Sequence, residues 1–391
     1  MLGKDGQRML CYPVVIDDIT PIIGSDNCEC AVVGGWKVMA RKGQFQKGEK
    51  VIYFEVDSLV PADNEAFAFM SKYKYKVKTQ RYTFGGKGLF FSQGLILPFA
   101  DLGLNADDYE IHADLTEKLG VKYYEVEDNK RKANIDPYRS MIDRHKKLFR
   151  KPWVKKVMKY TIGRKIMFAL FGRKKDSKYA WPSHIAAKTD VERIQNCLWN
   201  LEDKQPYVAT EKVDGSSCSI MCERGRFGKL KYYVCSRNVV FKDENQKCFY
   251  DDNIYFEMYN KYNFREIITN ILNDYHLQNV AIQMEVFGAN VQKRDYSLKE
   301  HDYRVFHIVS SGKKFPMDKV VEICEKYGLK YVPIIDDNYI LPNTIDELQA
   351  FVESEGSKID GKMKEGIVFY DKATGANYFK FVSPEFLMKY H

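Results

Sequence analysis

A side-chain amine becomes a nucleophile only when its proton can leave, and an ordinary lysine, with a pKa of about 10.4, needs desolvation or a neighbouring cation for that. One lysine of the chain sits where such help can be arranged. Tyr207-Val208-Ala209-Thr210-Glu211-Lys212 reads as a strand and Val213-Asp214-Gly215-Ser216 as the tight turn that ends it, so Lys212 meets a carboxylate two residues on. The same Lys-x-Asp-Gly spacing recurs at Lys358-Ile359-Asp360-Gly361 and does not identify the nucleophile by itself. Context separates the two. Lys212 follows one apolar run and precedes another, Cys218-Ser219-Ile220-Met221, whereas Lys358 lies among Ser354, Gly356, Gly361 and Lys364 in a loop-like stretch with only 33 residues after it. Lys212 is the expected nucleophile.

Further groups follow in order. Glu285 stands at a strand end in Gln283-Met284-Glu285-Val286-Phe287-Gly288, Glu365 opens Glu365-Gly366-Ile367-Val368-Phe369, and Lys380 sits in Phe379-Lys380-Phe381-Val382. Singly, Glu285 and Glu365 are ordinary strand-terminal carboxylates. Together with Lys212 and Asp214 they form a set suited to a nucleotide and a hard, hydrated divalent cation.

The elements that position these residues read as mixed. Ala31 to Pro61 is strand-like, with Ala31-Val32-Val33, Trp36 to Ala40 and Lys50 to Val56 separated by glycine turns, and Gln93 to Pro98 reads as another strand. Short strands with such turns suggest a small barrel. Lys72 to Lys78 alternates cations with tyrosines and reads as a strand whose rings either stack on bases or fill a core. Farther on, apolar periodicity predicts helices near 264–275, 317–327 and 345–353, and strands near 280–286, 303–309, 366–370 and 378–382.

At 391 residues and 45% hydrophobic content the chain is expected to fold into two or three globular domains. No apolar run approaches a membrane span, the first residues are polar, and the nine cysteines show no Cys-x-x-Cys pair. A soluble, intracellular protein of the cytoplasm or nucleus is expected, without a disulfide framework or zinc site. The formal charge of +8 is unevenly spread. Between Arg144 and Lys175 there are thirteen cations and no acid, with Leu148, Trp153, Val154, Val157, Met158, Ile162 and Ile166 spaced for one helical face. Such a basic amphipathic helix meets nucleic acid, an anionic membrane surface or an acidic partner, or is simply a solvated face.

Lys-x-Asp-Gly resembles the nucleotide-binding motif of covalent nucleotidyltransferases, the ATP-dependent ligases and GTP-dependent capping enzymes. The order of further matches resembles an ATP-dependent RNA ligase of the Deinococcus type. Those matches are Gly35 to Val38, Phe54 to Ser58, Ser92 to Leu95, Pro182 to Ile185, Lys188 to Asp190, Glu192 to Asn196, Glu211 to Ser217, Ser236-Arg237-Asn238, Glu285 to Gln292, Arg304 to Phe306, Glu365 to Phe369 and Phe379-Lys380. The resemblance implies an α+β protein of two domains. An N-terminal oligonucleotide-binding (OB)-like barrel over 1–120 and a C-terminal mixed α/β, ATP-grasp-like nucleotidyltransferase domain over 181–391 are joined by a basic helical segment at 121–180. It implies that Lys212 attacks the α-phosphorus of ATP, that Arg237 contacts the ribose, that Phe306 stacks on adenine and that Lys380 neutralises the α-phosphate. Asp214, Glu285 and Glu365 would serve Mg²⁺ or Mn²⁺, with Glu365 also at the nucleotide; Glu211 would bind the nucleotide and Arg193 the leaving pyrophosphate. Three positions depart from the pattern: Met284 for a glycine, His307 for an aspartate and Val382 for a second lysine.

The implied activity is ATP-dependent sealing of RNA 3′-OH and 5′-phosphate ends through a lysyl-AMP intermediate, in RNA repair. RNA or an RNA-containing duplex is the implied partner, and a monomer is expected. A DNA ligase or capping enzyme would carry its OB domain after the nucleotide-binding domain, and eleven residues after Lys380 leave no room for one. The alternatives are a nucleic-acid-binding protein that has lost activity and another polynucleotide adenylyl- or guanylyltransferase.

Overall fold

The computed structural model, which describes residues 1, 8–84, 89–124, 146–149, 151–158, 160–171, 180–250, 252–375 and 378–390, begins with short strands. They are β1 (Cys11–Val15), β2 (Asp18–Pro21), β3 (Cys28–Val33), β4 (Trp36–Arg41), β5 (Lys50–Phe54), β6 (Ser58–Leu59), β7 (Thr79–Thr83), β8 (Leu89–Gln93), β9 (Leu95–Leu97) and β10 (Lys122–Tyr123). All their pairings are antiparallel: β1–β5–β9, β2–β3–β4, β7–β8 and β6–β10. β5 explains why the domain is thick. Side chains alternate across a strand, so Val51 and Tyr53 enter one core with Tyr12, Val33 and Trp36, while Ile52 and Phe54 enter another with Phe67, Met70 and Leu97.

Two expectations are corrected here. Gln93 to Pro98 is broken by Gly94, whose φ of +99° lets the chain turn where a Cβ would lie 2.4 Å from the Tyr53 ring. Lys72 to Lys78 is no strand. It is the end of a 3₁₀ segment (Glu65–Tyr73) followed by left-handed Lys74 and Tyr75, which turn the chain so that Lys76 and Val77 are buried while Lys72 and Lys78 stay outside.

The basic segment forms α1 (Lys146–Phe149), α2 (Pro152–Val157) and α3 (Thr161–Phe171) around a small core of Phe149, Val154 and Met167. Trp153 and Ile166, expected on the buried face, are instead exposed. Of its thirteen cations only the side chains of Lys151, Arg164 and Lys165 are described, all exposed, so the reading of this stretch as an RNA- or membrane-facing surface lies largely outside the described residues.

The C-terminal domain has two five-stranded sheets. The first runs β11 (Glu192–Arg193), β20 (Tyr378–Val382), β19 (Gly366–Asp371), β12 (Pro206–Lys212), β18 (Ile334–Ile340). The second runs β14 (Leu230–Ser236), β13 (Ser216–Arg224), β15 (Asn279–Gly288), β16 (His301–Ser310), β17 (Lys313–Lys314). Helices α4 (Ile254–Lys261), α5 (Phe264–Asp274) and α6 (Met317–Tyr327) share a core with the second sheet, and α7 (Ile345–Glu353) one with the first. In α5 the buried Phe264, Ile268, Ile271 and Leu272 make the expected apolar stripe. A last helix, α8 (Pro384–Tyr390), packs on β7 of the N-terminal domain. No helix among the described residues is long and apolar enough to cross a membrane.

A buried polar knot joins the domains. Asn196 accepts from the Trp36 indole at 2.8 Å and donates at 2.8 Å to Glu55, which also accepts from Tyr12 at 3.0 Å and Arg8 at 3.1 Å. Glu55 is 1% exposed. Beside it Gly35 donates to the Gln195 carbonyl at 3.1 Å, an approach that a Cβ, only 2.7 Å from the Gln195 Cα, would block. A buried donor left without its acceptor costs about 1–3 kcal/mol. Asn196→Ala orphans the Trp36 indole and is expected to lower unfolding stability by about that amount; chemical denaturation showing a loss under about 0.5 kcal/mol would mean the knot does not hold the domains.

Candidate active site

β12 belongs to the first sheet and β13 to the second, so the turn Val213-Asp214-Gly215 is the crossing between them. Lys212 therefore ends its strand at the cleft where the sheets face each other. Gly215 permits the crossing because a Cβ there would lie 2.3 Å from the Val286 carbonyl. Strand register brings the other groups to the same place. Lys212 pairs with Gly366, which puts Glu365 beside the amine; Ser217 pairs with Glu285; Arg193 on β11 pairs with Lys380 on β20. Phe306 arrives differently. Gln283 faces His307 while Met284 faces Val305, so Phe306 is the extra residue of a β-bulge, the irregularity that re-aims a side chain.

These residues line a cavity of about 330 Å³. All the expected site residues reach its wall: Arg193, Glu211, Lys212, Asp214, Arg237, Glu285, Phe306, Glu365 and Lys380. Lys358 does not. Its ammonium is half-exposed and paired with Glu355 at 2.7 Å. Glu211 lines the cavity but spends its carboxylate on the Ser357 hydroxyl and, at 2.7 Å, the Lys358 backbone N–H. Arg237 forms an ion pair with Asp190, whose carboxyl is raised by burial but lowered more by that guanidinium.

The lysine is not pre-activated. Its Nζ donates to Glu365 Oε2 at 2.6 Å; burial pulls its pKa down, but Glu365, Glu285 and Asp214 outweigh that and the net shift is upward. Desolvation therefore falls short of the expected activation. Burial pushes Glu285 up to about 8, with Glu365 and Asp214 adding repulsion and Lys212 opposing. Lys380 is driven well below its usual range by burial and by the positive charges of Lys212, Arg8 and Arg193. The cavity thus gathers carboxylates around Lys212 and crowded cations around Lys380. An anion beside Lys380 and a cation beside Glu285 would each relieve the repulsion there.

Sequence reasoning assigned no role to the wall supplied by the N-terminal domain: Arg8, Asp57, Lys76, Tyr123 and Tyr124. Lys76 lies 3.2 Å from Asp57 and 3.9 Å from the Tyr124 ring centroid, and Arg8 and Arg237 both lie within 6 Å of the Tyr123 ring. The signal for Lys76 was its place in the Lys-Tyr alternation; Arg8 carried none. Two of the three departures sit in packed interior and the third at the cavity. Met284 is a core residue, His307 is fixed between Tyr370 and Tyr378 with its Nδ1 3.2 Å from Gln283, its pKa driven well down by burial, and Val382 puts an apolar side chain on the cavity wall.

A lysine bracketed by carboxylates between two sheets, with a second lysine and a bulged aromatic, is an arrangement suited to covalent nucleotidyl transfer. Residues 205–391 match the RNA ligase family, and residues 14–99 match an OB-fold domain. The C-terminal part of the chain is thus similar to the RNA ligase family and an OB fold precedes it, the two-domain α+β order that the motifs imply. No curated protein sequence matches it significantly. Among solved structures it is similar to a lysine-to-alanine variant of the Naegleria gruberi RNA ligase with ATP and Mn, 24% identical over 98% of each chain with a TM-score of 0.71. It is equally similar to a lysine-to-methionine variant with AMP and Mn, 24% identical over 98% of this chain and 99% of that one, TM-score 0.71.

The raised Glu285 carboxyl has a consequence for the ligand-free protein. A carboxyl whose folded pKa lies above its unfolded value stabilises below the unfolded pKa, near 4.5, and that contribution is lost as pH rises toward 8. Between pH 5 and 9 the melting temperature of wild type is expected to fall relative to that of Glu285→Gln, by differential scanning fluorimetry without nucleotide or metal. Parallel profiles would contradict the burial of charge at Glu285.

Proposed function

We propose that the chain is an ATP-dependent RNA ligase that carries AMP on Lys212 and seals a 3′-OH to a 5′-phosphate, in repair of broken RNA, as a monomer. The reading is carried by one observation: Lys212, at a sheet-to-sheet crossing, is the lysine held by Glu365 within reach of Glu285, Asp214 and Lys380 in one cavity. The Lys212 lone pair forms a bond to the α-phosphorus while the bond to pyrophosphate breaks. A 5′-phosphate oxygen then displaces the lysine, and a 3′-OH displaces AMP to give the phosphodiester.

Each residue's part follows from its surroundings. Glu365 is the first acceptor for the ammonium proton. Lys380, with Arg193 and Arg8 behind it, offers charge to the α-phosphate and the leaving pyrophosphate. Phe306 offers a flat face to adenine and Arg237 a donor to the ribose. No three carboxylates among the described residues converge closely enough to ligate an ion directly. The hard oxygen set of Asp214, Glu285 and Glu365 suits Mg²⁺ or Mn²⁺ held through water, as Mg²⁺ keeps much of its hydration. Such an ion would supply positive charge that lowers the lysine pKa and offsets the build-up on the α-phosphate.

RNA has a candidate seat. A depression of about 1110 Å³ on the N-terminal domain is lined by Arg41, Lys42, Lys72 and Lys78, against Asp26 and Asp101, with Phe69 49% exposed and Tyr82 beside it. Cations for phosphates and open rings for bases suit a nucleic acid strand. α8 ties the two surfaces together: its Leu387 lines the cavity while the helix packs on β7, whose Gln80 and Tyr82 line the depression.

Lys212→Ala is expected to abolish the protein-AMP adduct after incubation with ATP and Mg²⁺, and Lys358→Ala to retain it, by intact-protein mass spectrometry. Lys380→Ala should slow adduct formation by about 10²–10³-fold, the loss typical of one charged transition-state contact. An adduct surviving Lys212→Ala would sink the assignment. For the RNA seat, Lys72→Glu with Lys78→Glu should weaken binding of a nicked RNA duplex and reduce the slope of log affinity against log salt by about 0.7–0.9 per lost phosphate contact, with adduct formation intact. An unchanged slope would reject this face.

A further inference from the structure

Lys212 is held by what stands on either side of it. On the strand side, Glu211 accepts from the Ser357 hydroxyl and the Lys358 N–H. On the turn side, the Asp214 N–H donates to the Tyr296 hydroxyl at 2.7 Å and the Gly215 carbonyl accepts from Gln292 at 3.1 Å. Arg294 closes the circuit. Its guanidinium lies 3.7 Å from the Tyr296 ring centroid and pairs with Asp360 at 2.7 Å, the two side chains being 2% and 7% exposed. Two loops, 288–297 and 357–361, thus grip both neighbours of the nucleophile and each other.

The conformation of the first loop is costly. Asn290, Gln292, Tyr296 and Ser297 all have φ between 53° and 60°, the left-handed region that side chains avoid. Such residues persist where surrounding contacts over-determine them, and they gather where geometry serves a function. The ion pair is under-satisfied too: Arg294 Nε and Nη1 and Asp360 Oδ2 have no hydrogen-bond partner among the described residues. A buried pair of this kind is weak support for stability.

We infer that the second Lys-x-Asp-Gly sequence, Lys358 to Gly361, is a positioning clamp for the first: Asp360 acts through Arg294 and Tyr296 on Asp214, and the backbone of Lys358 acts on Glu211, so that the Lys212 amine is aimed at the α-phosphorus. The inference rests on the reading of Lys212 as the AMP carrier. Attack requires the reacting atoms about 3–3.5 Å apart and aligned, and a displacement of about 1 Å costs on the order of 10²-fold. The clamp residues contact neither the amine nor a phosphate, so they are positioning residues.

Tyr296→Phe removes one oxygen, and Asp360→Asn removes the charge while keeping the shape. Two single-turnover reactions are compared for each: lysyl-AMP formation at saturating ATP and Mg²⁺, and sealing of a nicked RNA already adenylylated at its 5′-phosphate, which needs no attack by Lys212. Both variants are expected to slow lysyl-AMP formation by about 10–100-fold. The ATP concentration for half-maximal rate and the sealing rate should each stay within about threefold. Equal losses in both reactions, in whichever variant folds, would mean a merely structural role and overturn the clamp, as would wild-type rates of lysyl-AMP formation. Absence of the adduct in wild type would instead overturn the reading of Lys212 itself.

Discussion

An ammonium that must become an amine, set among carboxylates that favour its charge, is the constraint on which the site depends. Glu365, Glu285 and Asp214 keep Lys212 protonated in the free protein. Burial raises Glu285, and repulsion from Glu365 and Asp214 adds to it. A site in this condition is poised for cationic company: positive charge near the carboxylates would release the lysine proton and relieve Glu285 together. The crowded Lys380 side has the opposite need, which a polyphosphate meets. The resting electrostatics thus suit a nucleotide and a metal ion sharing one cavity.

That arrangement explains the attachment of the N-terminal domain. Arg8 belongs to the interdomain knot through Glu55 and to the cavity wall at once. A domain that supplied charge to the cavity while swinging freely would hold that charge in the wrong place for part of the time. Here the Asn196, Trp36, Tyr12 and Glu55 bonds and the close contact of Gly35 with Gln195 fix the distance.

The nucleophile, the three carboxylates and Lys380 were legible because each sits at a strand end, where an apolar run followed by a turn residue gives its position away. The strands near 280–286, 303–309, 366–370 and 378–382 and the helices near 264–275, 317–327 and 345–353 were legible through periodicity, whereas β14, β18, α4 and α8 were not anticipated. What failed were positions decided by backbone sign. Lys74 and Tyr75 in left-handed conformation turned an alternating tract into a loop, and no feature of that tract announces φ. Arg8 and Asp57 went unassigned because the site residues whose cavity they share, Arg193, Lys212 and Lys380, are more than a hundred residues away. The bulge that frees Phe306 was equally unreadable: one extra residue in a strand leaves no mark on composition.

The second Lys-x-Asp-Gly sequence shows how far a motif can be trusted. Both copies make a tight turn with an aspartate inside it, and their fates differ by what each aspartate meets. Asp214 faces the cavity, while Asp360 is buried against Arg294 behind the nucleophile turn. The sequence spacing is the same but the backbone is not, Gly361 being left-handed and Gly215 not; the function is set by which layer of the fold the turn occupies. Two of the three departures from the family pattern obey the same logic. Met284 and His307 lie on strands that carry site residues, yet their side chains enter packed interior, whereas Val382, two residues along from Lys380, lines the cavity. On a strand only alternate residues reach the cleft, so the immediate neighbours of Glu285 and Phe306 can be exchanged for whatever fills the core, provided the register that aims the reactive groups is kept.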